Sequence, residues 1–187
     1  MIGRVTWMAC AVLVFGLGLH FGDETSRSLR NPQLAGDYGD ISGWTLNSNS
    51  GEANPPLRLS FVDGNQDVLE ARMEKNYSRI WDIQLSRRGF AIEKGKRYTL
   101  SYRLRCERPT TVMLVINQSQ PPWSNLGVLD QVPVREEWIE HAYEFEATQT
   151  NDNATVQLNM GTSAAPNRFW LTNLRLRPNL AVENPLR

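Results

Sequence analysis

Hydrophobic and polar residues alternate with a period of two along most of the chain after Asn31. The clearest runs, each with an apolar or aromatic side chain at every second position, are 57–61, 98–106, 112–116, 141–145 and 156–160. A last run at 169–176 places Leu174 and Leu176 on its inward side. Such alternation is typical of strands that bury one face. No stretch shows the 3.6-residue period of an amphipathic helix, so the pattern predicts an all-β protein.

Turn-forming residues separate these runs. The turns expected from composition lie at 63–65 (DGN), 93–96 (EKGK), 120–122 (QPP) and 151–153 (NDN). Many short strands joined by such turns predict a β-sandwich of two antiparallel sheets. One face of each strand would then face the core, and the other would face water or a ligand.

Residues 1–22 are predicted to be a signal peptide or an N-terminal membrane anchor. Arg4 precedes an uncharged run at 5–19, which has the length of a signal-peptide apolar region and is short for a membrane span. No clear cleavage motif precedes Asp23, so both interpretations stay open. We expect residues 23–30 to be a linker, 31–178 the β-sandwich and 179–187 a loose tail. The body of the protein would be extracytoplasmic: secreted, periplasmic, or attached to a membrane only through an uncleaved N-terminal segment.

Length and charge narrow the classes of partner. The chain of 187 residues suits one domain, and its 20 Lys and Arg residues balance its 20 Asp and Glu residues. Without a field of one sign, nucleic acid is not expected as a partner. Cys106 is the single cysteine outside the leader. We therefore expect it to be a buried thiol in a domain without an internal disulfide.

Residues typical of catalysis are scarce. His20 lies in the leader, and His141 lies on the apolar side of a strand, where a lone histidine is usually a core residue. Motifs of serine hydrolases, zinc proteases and nucleotide-binding loops are missing from the sequence. A glycosidase needs only two carboxylates facing one cleft. The nearest pair, Glu136 and Glu137, falls in a predicted turn, so we expect no enzyme, with a glycan-active hydrolase or lyase as the less favoured alternative.

Several polar and aromatic residues suit the recognition of a sugar, which offers an apolar ring face and an edge of hydroxyls. Aromatic rings stack on the former, and amides donate to and accept from the latter. Gln157 and Asn159 point away from the core side of their strand, as does Asn117 on another strand. Trp123 follows two prolines in a polar loop. A plain solvated face explains Gln157 and Asn159 equally well.

A set of short segments occurs in a distinctive order and spacing. The segments are WDIQL at 81–85, IEKGKRYTLSY at 92–102, EW at 137–138 with YEF at 143–145, VQLNMG at 156–161, LTNLRL at 171–176, and an opening from Asn31 to Gly43-Trp44. In this order the chain resembles the carbohydrate-binding modules of families four and nine, which accompany cellulases and xylanases. The resemblance implies a jelly-roll β-sandwich, galactose-binding-domain-like, with a binding cleft on one sheet face.

The resemblance also implies binding residues. Trp81 and Gln84 match positions that contribute to the cleft, as do an aromatic at the position of Trp123 and polar residues at Gln157 and Asn159. Combined with the residue patterns, the predicted carbohydrate-binding set is Trp81, Gln84, Asn117, Trp123, Gln157 and Asn159. We expect the tryptophans to stack on a polysaccharide or oligosaccharide and the amides to form hydrogen bonds with it.

Strand parity complicates the assignment of Trp81. Trp81 and Gln84 have opposite parity, so both reach one face only if a bulge intervenes or the strand begins after Trp81. The alternative places Trp81 in the core with Ile83 and Leu85.

Metal and partner expectations follow from the same resemblance. Many relatives carry an aspartate that helps to hold a structural calcium, where this chain has Thr172 followed by Asn173. Because that aspartate is missing, we expect no cofactor. Carbonyl groups near Asn31 and Asp37 remain as oxygen donors, so calcium is left open, with no metal ligands assigned. Such modules usually accompany enzymes, so the expectations are either a protein partner that carries catalysis or a surface protein that captures glycan by itself. The rival hypothesis is a structural or protein-interaction module that has lost sugar binding.

Overall fold

The computed structural model describes residues 40–41 and 43–179. These residues form eleven strands: β1 Asp40–Ile41, β2 Trp44–Ser48, β3 Leu57–Val62, β4 Asn65–Met73, β5 Ile83–Ile92, β6 Arg97–Cys106, β7 Thr110–Gln118, β8 Asn125–Val134, β9 Ile139–Glu146, β10 Asn151–Asn159 and β11 Asn167–Pro178. A 3₁₀ turn at Ile80–Asp82 precedes β5. Outside the described residues lie the predicted leader, the linker at 23–30 and residues 180–187 of the predicted tail. Within the described residues, no helix has the length and apolarity to cross a membrane.

The described strands form two antiparallel sheets. The six-stranded sheet has the order β1-β2-β5-β10-β7-β8, and the five-stranded sheet has the order β3-β4-β11-β6-β9. The chain moves from one sheet to the other at β2–β3, β4–β5, β5–β6, β6–β7, β8–β9, β9–β10 and β10–β11. This alternation is that of a jelly roll, so the predicted two-sheet antiparallel sandwich is confirmed.

The core consists of the inward faces of both sheets. Strand β6 shows the alternation most clearly, with these inward side chains at most 5% exposed: Tyr98, Leu100, Tyr102, Leu104 and Cys106. Each large apolar side chain buried in this way contributes about 1.5–3 kcal/mol to folding. The predicted buried thiol is confirmed, since Cys106 donates from Sγ to the carbonyl oxygen of Arg108 at 2.9 Å. Burial raises the pKa of Cys106 to about 11, which keeps the thiol protonated and unreactive.

Two predictions about titratable residues have different outcomes. His141 points inward from β9, as predicted, but β9 is an edge strand and His141 is only half-buried, stacked on Tyr102 at 5.1 Å between ring centroids. His141 is therefore less buried than the predicted core histidine. Glu136 and Glu137 are exposed in the turn between β8 and β9, as expected for a solvated turn.

Candidate functional site

A cleft of about 770 Å³ opens on the outward face of the six-stranded sheet. Its lining residues, which define "the cleft" from here on, are Asn47, Ser48, Asn49, Arg79, Trp81, Gln84, Arg88, Asn117, Trp123 and Gln157. Strand register aligns these residues, since Asn47 on β2 lies beside Gln84 on β5, and Gln84 lies beside Asn159 on β10. Asn117 on β7 lies beside Thr155 on β10.

The geometry of β5 resolves the parity of Trp81 and Gln84. The strand begins at Ile83, after the 3₁₀ turn that carries Trp81, so the side chain of Trp81 is not bound to the alternation of the strand. Ile83 and Leu85 point into the core, and Gln84 points into the cleft. Trp81 is 48% exposed, so the alternative that placed it in the core is wrong.

Polar contacts hold the turn that carries Trp81. Asp82 is 3% exposed and accepts hydrogen bonds from the backbone N–H of Arg79 at 3.0 Å and from its Nε at 2.9 Å. Asn49 donates from Nδ2 to the carbonyl oxygen of Trp81 at 3.1 Å. The guanidinium of Arg79 lies 5.8 Å from the centroid of the Trp81 ring, within reach of a cation–π interaction. The ring is therefore held at one end of the cleft.

Gly161 lets the same turn approach the end of β10. Its N–H donates to the carbonyl oxygen of Ile80 at 2.8 Å, and its carbonyl oxygen accepts from the N–H of Tyr77. A Cβ at this position would overlap the carbonyl oxygen of Arg79. The backbone contact requires glycine because no side chain fits between the turn and β10.

Trp123 lies in the loop between β7 and β8 and is 60% exposed. Its backbone has φ 52°, the left-handed region that bulky residues rarely adopt. The N–H of Trp123 donates to the carbonyl oxygen of Gln120 at 2.9 Å, which closes the turn. A residue in this conformation costs about 1–3 kcal/mol, which the surrounding structure must offset. Such strained positions cluster at binding and catalytic sites.

Buried polar atoms without a hydrogen-bond partner concentrate on this face of the sheet. In the part of the chain that the structure describes, they include Asn47 Oδ1, Arg88 Nε, Asn117 Oδ1, Thr155 Oγ1 and Asn159 Oδ1. Buried polar groups are normally paired, since an unpaired one costs about 1–3 kcal/mol. The hydrogen-bonding capacity of this face is therefore not used up by contacts within the protein.

Solved structures share this architecture. A family-four carbohydrate-binding module is similar with a TM-score of 0.65 at 15% identity, and the match covers 81% of this chain and 100% of that one. The chain has the fold of the family-four carbohydrate-binding modules. The N-terminal cellulose-binding domain of Cellulomonas fimi β-1,4-glucanase C has a TM-score of 0.59 at 18% identity, covering 78% of this chain and 94% of the other. The second N-terminal cellulose-binding domain of the same enzyme has a TM-score of 0.58 at 17% identity, covering 77% and 90%.

No protein-family model and no curated protein matches the chain. At the identities above, the likeness to solved structures establishes the family-four fold alone. The jelly roll implied by the sequence resemblance is thereby confirmed.

The family-four fold brings together most of the predicted binding residues. Five of them line the cleft: Trp81, Gln84, Asn117, Trp123 and Gln157. Asn159 does not line it, although it lies on the same face. Its Nδ2 is 3.9 Å from Sδ of Met113, and the residue is 5% exposed.

Gln157 and Asn159 are not part of a solvated face. Gln157 is only 6% exposed. Its strand, β10, lies inside the six-stranded sheet, where β5 and β7 shield it on both sides. The alternative of a plain solvated surface is therefore wrong for these two residues.

Sequence reasoning missed half of the lining. Arg88 could have been found by extending the outward parity of Gln84 through Ser86, although the charged Arg87 breaks the apolar pattern between Ser86 and Arg88. Asn47 continues the outward parity of Thr45 on β2 in the same way. The other residues that were missed, Ser48, Asn49 and Arg79, lie at loop or strand-end positions, which alternation does not describe.

Thr172, at the position where the resemblance would have placed a calcium-binding aspartate, makes a contact within the protein. Thr172 donates from Oγ1 to the carbonyl oxygen of Asp67 at 2.7 Å. Asn31 and Asp37, the other suggested donors, lie outside the described residues. Within these, no group of three or more histidine, cysteine, aspartate or glutamate side chains could hold a metal ion. The expectation of no cofactor, with calcium left open, stays a prediction.

Proposed function

We propose that the protein binds a polysaccharide or oligosaccharide in the cleft and does not cleave it. The observation that carries the proposal is the pair of exposed tryptophans, Trp81 and Trp123, lining one cleft together with amide side chains. Indole rings stack on the apolar face of a sugar, and amides pair with its hydroxyl groups. This combination favours a sugar ligand over a protein surface, which a flat apolar patch would suit better.

The positions of the two tryptophans favour a ligand with several linked sugar rings. Trp81 comes just before the start of β5, which lies beside Asn159 of β10. Trp123 comes just after the end of β7, which lies beside Thr155 of β10. Asn159 and Thr155 are separated by about 13 Å of strand. The strands β5 and β7 are also separated by β10. A ligand that contacts both indoles therefore crosses the sheet diagonally.

The lining supports binding without catalysis. Among the described residues that line the cleft, none is a carboxylic acid, whereas a glycosidase places two across its substrate. A protein partner that supplies catalysis, and an extracytoplasmic location where polysaccharide is encountered, belong to the same proposal. Affinity should be modest, because hydrogen bonds in an open cleft replace bonds to water.

Replacement of Trp123 tests the proposal. We expect Trp123→Ala to raise Kd for the ligand by at least about tenfold, because the variant loses the stacking surface and keeps the core. The ligand is first found on a glycan array with the purified 23–187 fragment, and Kd is then measured by affinity electrophoresis and calorimetry.

Trp138→Ala is the matched control. Trp138 is half-buried and stacks with Arg103 on the five-stranded sheet, away from the cleft. This variant should bind as the wild type does. Equal Kd values for Trp123→Ala and the wild type would refute the assignment of the cleft. Release of new reducing ends from the bound glycan by the wild type would refute the absence of catalysis.

A further inference from the structure

Arg88 places a guanidinium in the cleft. It belongs to β5, two residues beyond Ser86 on the outward face of the six-stranded sheet, and it is half-buried. It also lines a smaller cavity of about 50 Å³, which it shares with Asn117, Trp123 and Thr155. The side chain is thus close to the exposed indole of Trp123 and to partnerless polar atoms.

The charge of Arg88 is not offset within the site. The charged residues lining the two cavities are Arg79 and Arg88, with no acidic residue in either described lining. Arg79 is neutralised by Asp82, with 2.8 Å between Nη2 and Oδ1. Arg88 has no ion pair among the described residues, and its Nε is buried without a hydrogen-bond partner. One positive charge without an ion pair among the described residues therefore lines the cleft.

The chemistry of a guanidinium selects an anionic partner. Its planar array of donors fits the two oxygens of a carboxylate, or those of a sulfate ester, and such charge-assisted pairs are about twice as strong as neutral hydrogen bonds. The attraction is local, because the chain as a whole has a formal net charge of zero. Partial burial reduces the screening of this single charge by water and salt.

We propose that the cleft selects an acidic glycan, with the carboxylate or sulfate of one sugar bound to Arg88 beside the ring that stacks on Trp123. This inference rests on the proposed function, because it assigns the chemical class of ligand to the same cleft. It does not depend on which backbone the glycan has.

Matched pairs of glycans test it on the wild-type protein. One pair is oligogalacturonate and its methyl ester, which differ in the charge of the carboxyl group. The other pair is κ-carrageenan and its chemically desulfated form. Neutral cello- and laminari-oligosaccharides complete the set. We expect the acidic member of at least one pair to bind at least about tenfold more tightly than its neutral partner, and the pair that shows this identifies carboxylate or sulfate as the anion.

Variants then locate the selectivity. Arg88→Gln should weaken binding of the acidic member at least about tenfold more than binding of the neutral member, which removes the preference, whereas Arg88→Lys should keep part of the preference. Arg58→Gln is the matched control, since it removes one positive charge from an exposed position on β3 in the other sheet. Its preference should equal that of the wild type, and thermal unfolding of each variant verifies its fold.

The outcomes separate the two proposals. If the wild type binds both members of each pair equally, or prefers the neutral one, the acidic class is wrong while glycan binding stands. If Arg88→Gln keeps the acidic preference, the assignment to Arg88 is wrong. If the wild type binds no glycan in the set or on the array, the proposed function and this inference both fail. Because the first comparison uses only the wild type, a variant that does not fold cannot leave the question open.

Discussion

Asp82 is an almost completely buried carboxylate that positions a residue of the cleft. It pairs with the Arg79 guanidinium at 2.8 Å and accepts a hydrogen bond from the backbone N–H of the same residue. These contacts close the 3₁₀ turn that carries Trp81. Asp82 does not line the cleft, so it acts through the position of the indole.

Asp82→Asn should loosen this turn. The amide keeps the shape of the side chain but loses the charge, so we expect unfolding free energy to fall by about 1–2 kcal/mol, near the low end for a charged hydrogen bond because Arg79 is exposed. Kd for glycan should rise severalfold as Trp81 becomes less ordered. Denaturant unfolding and calorimetry measure the two effects. A stability loss without any change in Kd would show that the turn does not position Trp81 for binding.

Period-two alternation gave the outward direction of cleft residues that lie within strands, and it said nothing about those beyond the strands. Gln157 and Asn117 were predicted because their parity is opposite to that of core neighbours, Gln84 was predicted from the resemblance, and all three line the cleft. Asn159 has the same outward parity but does not line the cleft, and its Nδ2 lies 3.9 Å from Sδ of Met113, since parity gives the direction of a side chain and not its contacts. Arg79 was missed because its position depends on a turn folding back against Asn49, which alternation does not encode.

At the scale of elements, the cleft depends on the contact between the 3₁₀ turn Ile80–Asp82 and the end of β10. Gly161 makes this contact through its backbone, in a space that excludes a Cβ. Gly161→Ala should push the turn away from the sheet. We expect an unfolding free energy about 1–3 kcal/mol lower than that of the wild type, as for other overpacked sites, together with weaker glycan binding.

Gly64→Ala is the control for Gly161→Ala. Gly64 lies between β3 and β4 with φ +73°, and a Cβ there meets nothing within 4 Å. Backbone strain should cost about 1–2 kcal/mol, comparable to the loss at Gly161, without moving the turn. If both variants bind glycan equally well, the contact at Gly161 is needed for stability alone.

Elements were predictable where the alternation is unbroken. The run at 98–106 corresponds to β6, Arg97–Cys106, and the run at 112–116 lies within β7, Thr110–Gln118. β8 was not identified, because Gly127 and Pro133 interrupt its pattern. In β5 the inward parity continues to Arg87, whose guanidinium packs 5.7 Å from the centroid of the Trp44 ring, and a charged residue at an inward position conceals the strand.

At the scale of the whole molecule, the two-sheet sandwich was predictable and the order of its strands was not. Alternation identifies a strand with one buried face, but it does not say which strands pair, since pairing joins residues far apart in sequence. The central position of β10 between β5 and β7 illustrates this, and that position determines how deeply Gln157 is buried. The resemblance supplied the jelly roll, because it drew on the order of all segments together.

Global stability should depend on pH through His141, at the edge of the sandwich. His141 lies on the inward side of β9 against the rings of Tyr102 and Tyr143, and its Nε2 is buried without a hydrogen-bond partner. Burial lowers the pKa of His141 below its ordinary value of 6.5. In the window below about pH 6.5, the unfolded chain therefore takes up a proton that the folded protein resists. Stability from this group is present above that pH and is lost as pH falls through the folded pKa.

His141→Phe should remove this part of the pH dependence, because phenylalanine does not titrate and still stacks on Tyr102. We expect the unfolding free energy of the wild type to fall more steeply than that of the variant between about pH 7 and about pH 5. Carboxylates titrate equally in both proteins, so the difference between the two curves isolates His141. Urea unfolding at closely spaced pH values measures it, with Tyr143→Phe as a control that alters the same stack and keeps the histidine. Parallel curves for wild type and His141→Phe would show that the imidazole accepts a proton as readily in the sandwich as in the unfolded chain.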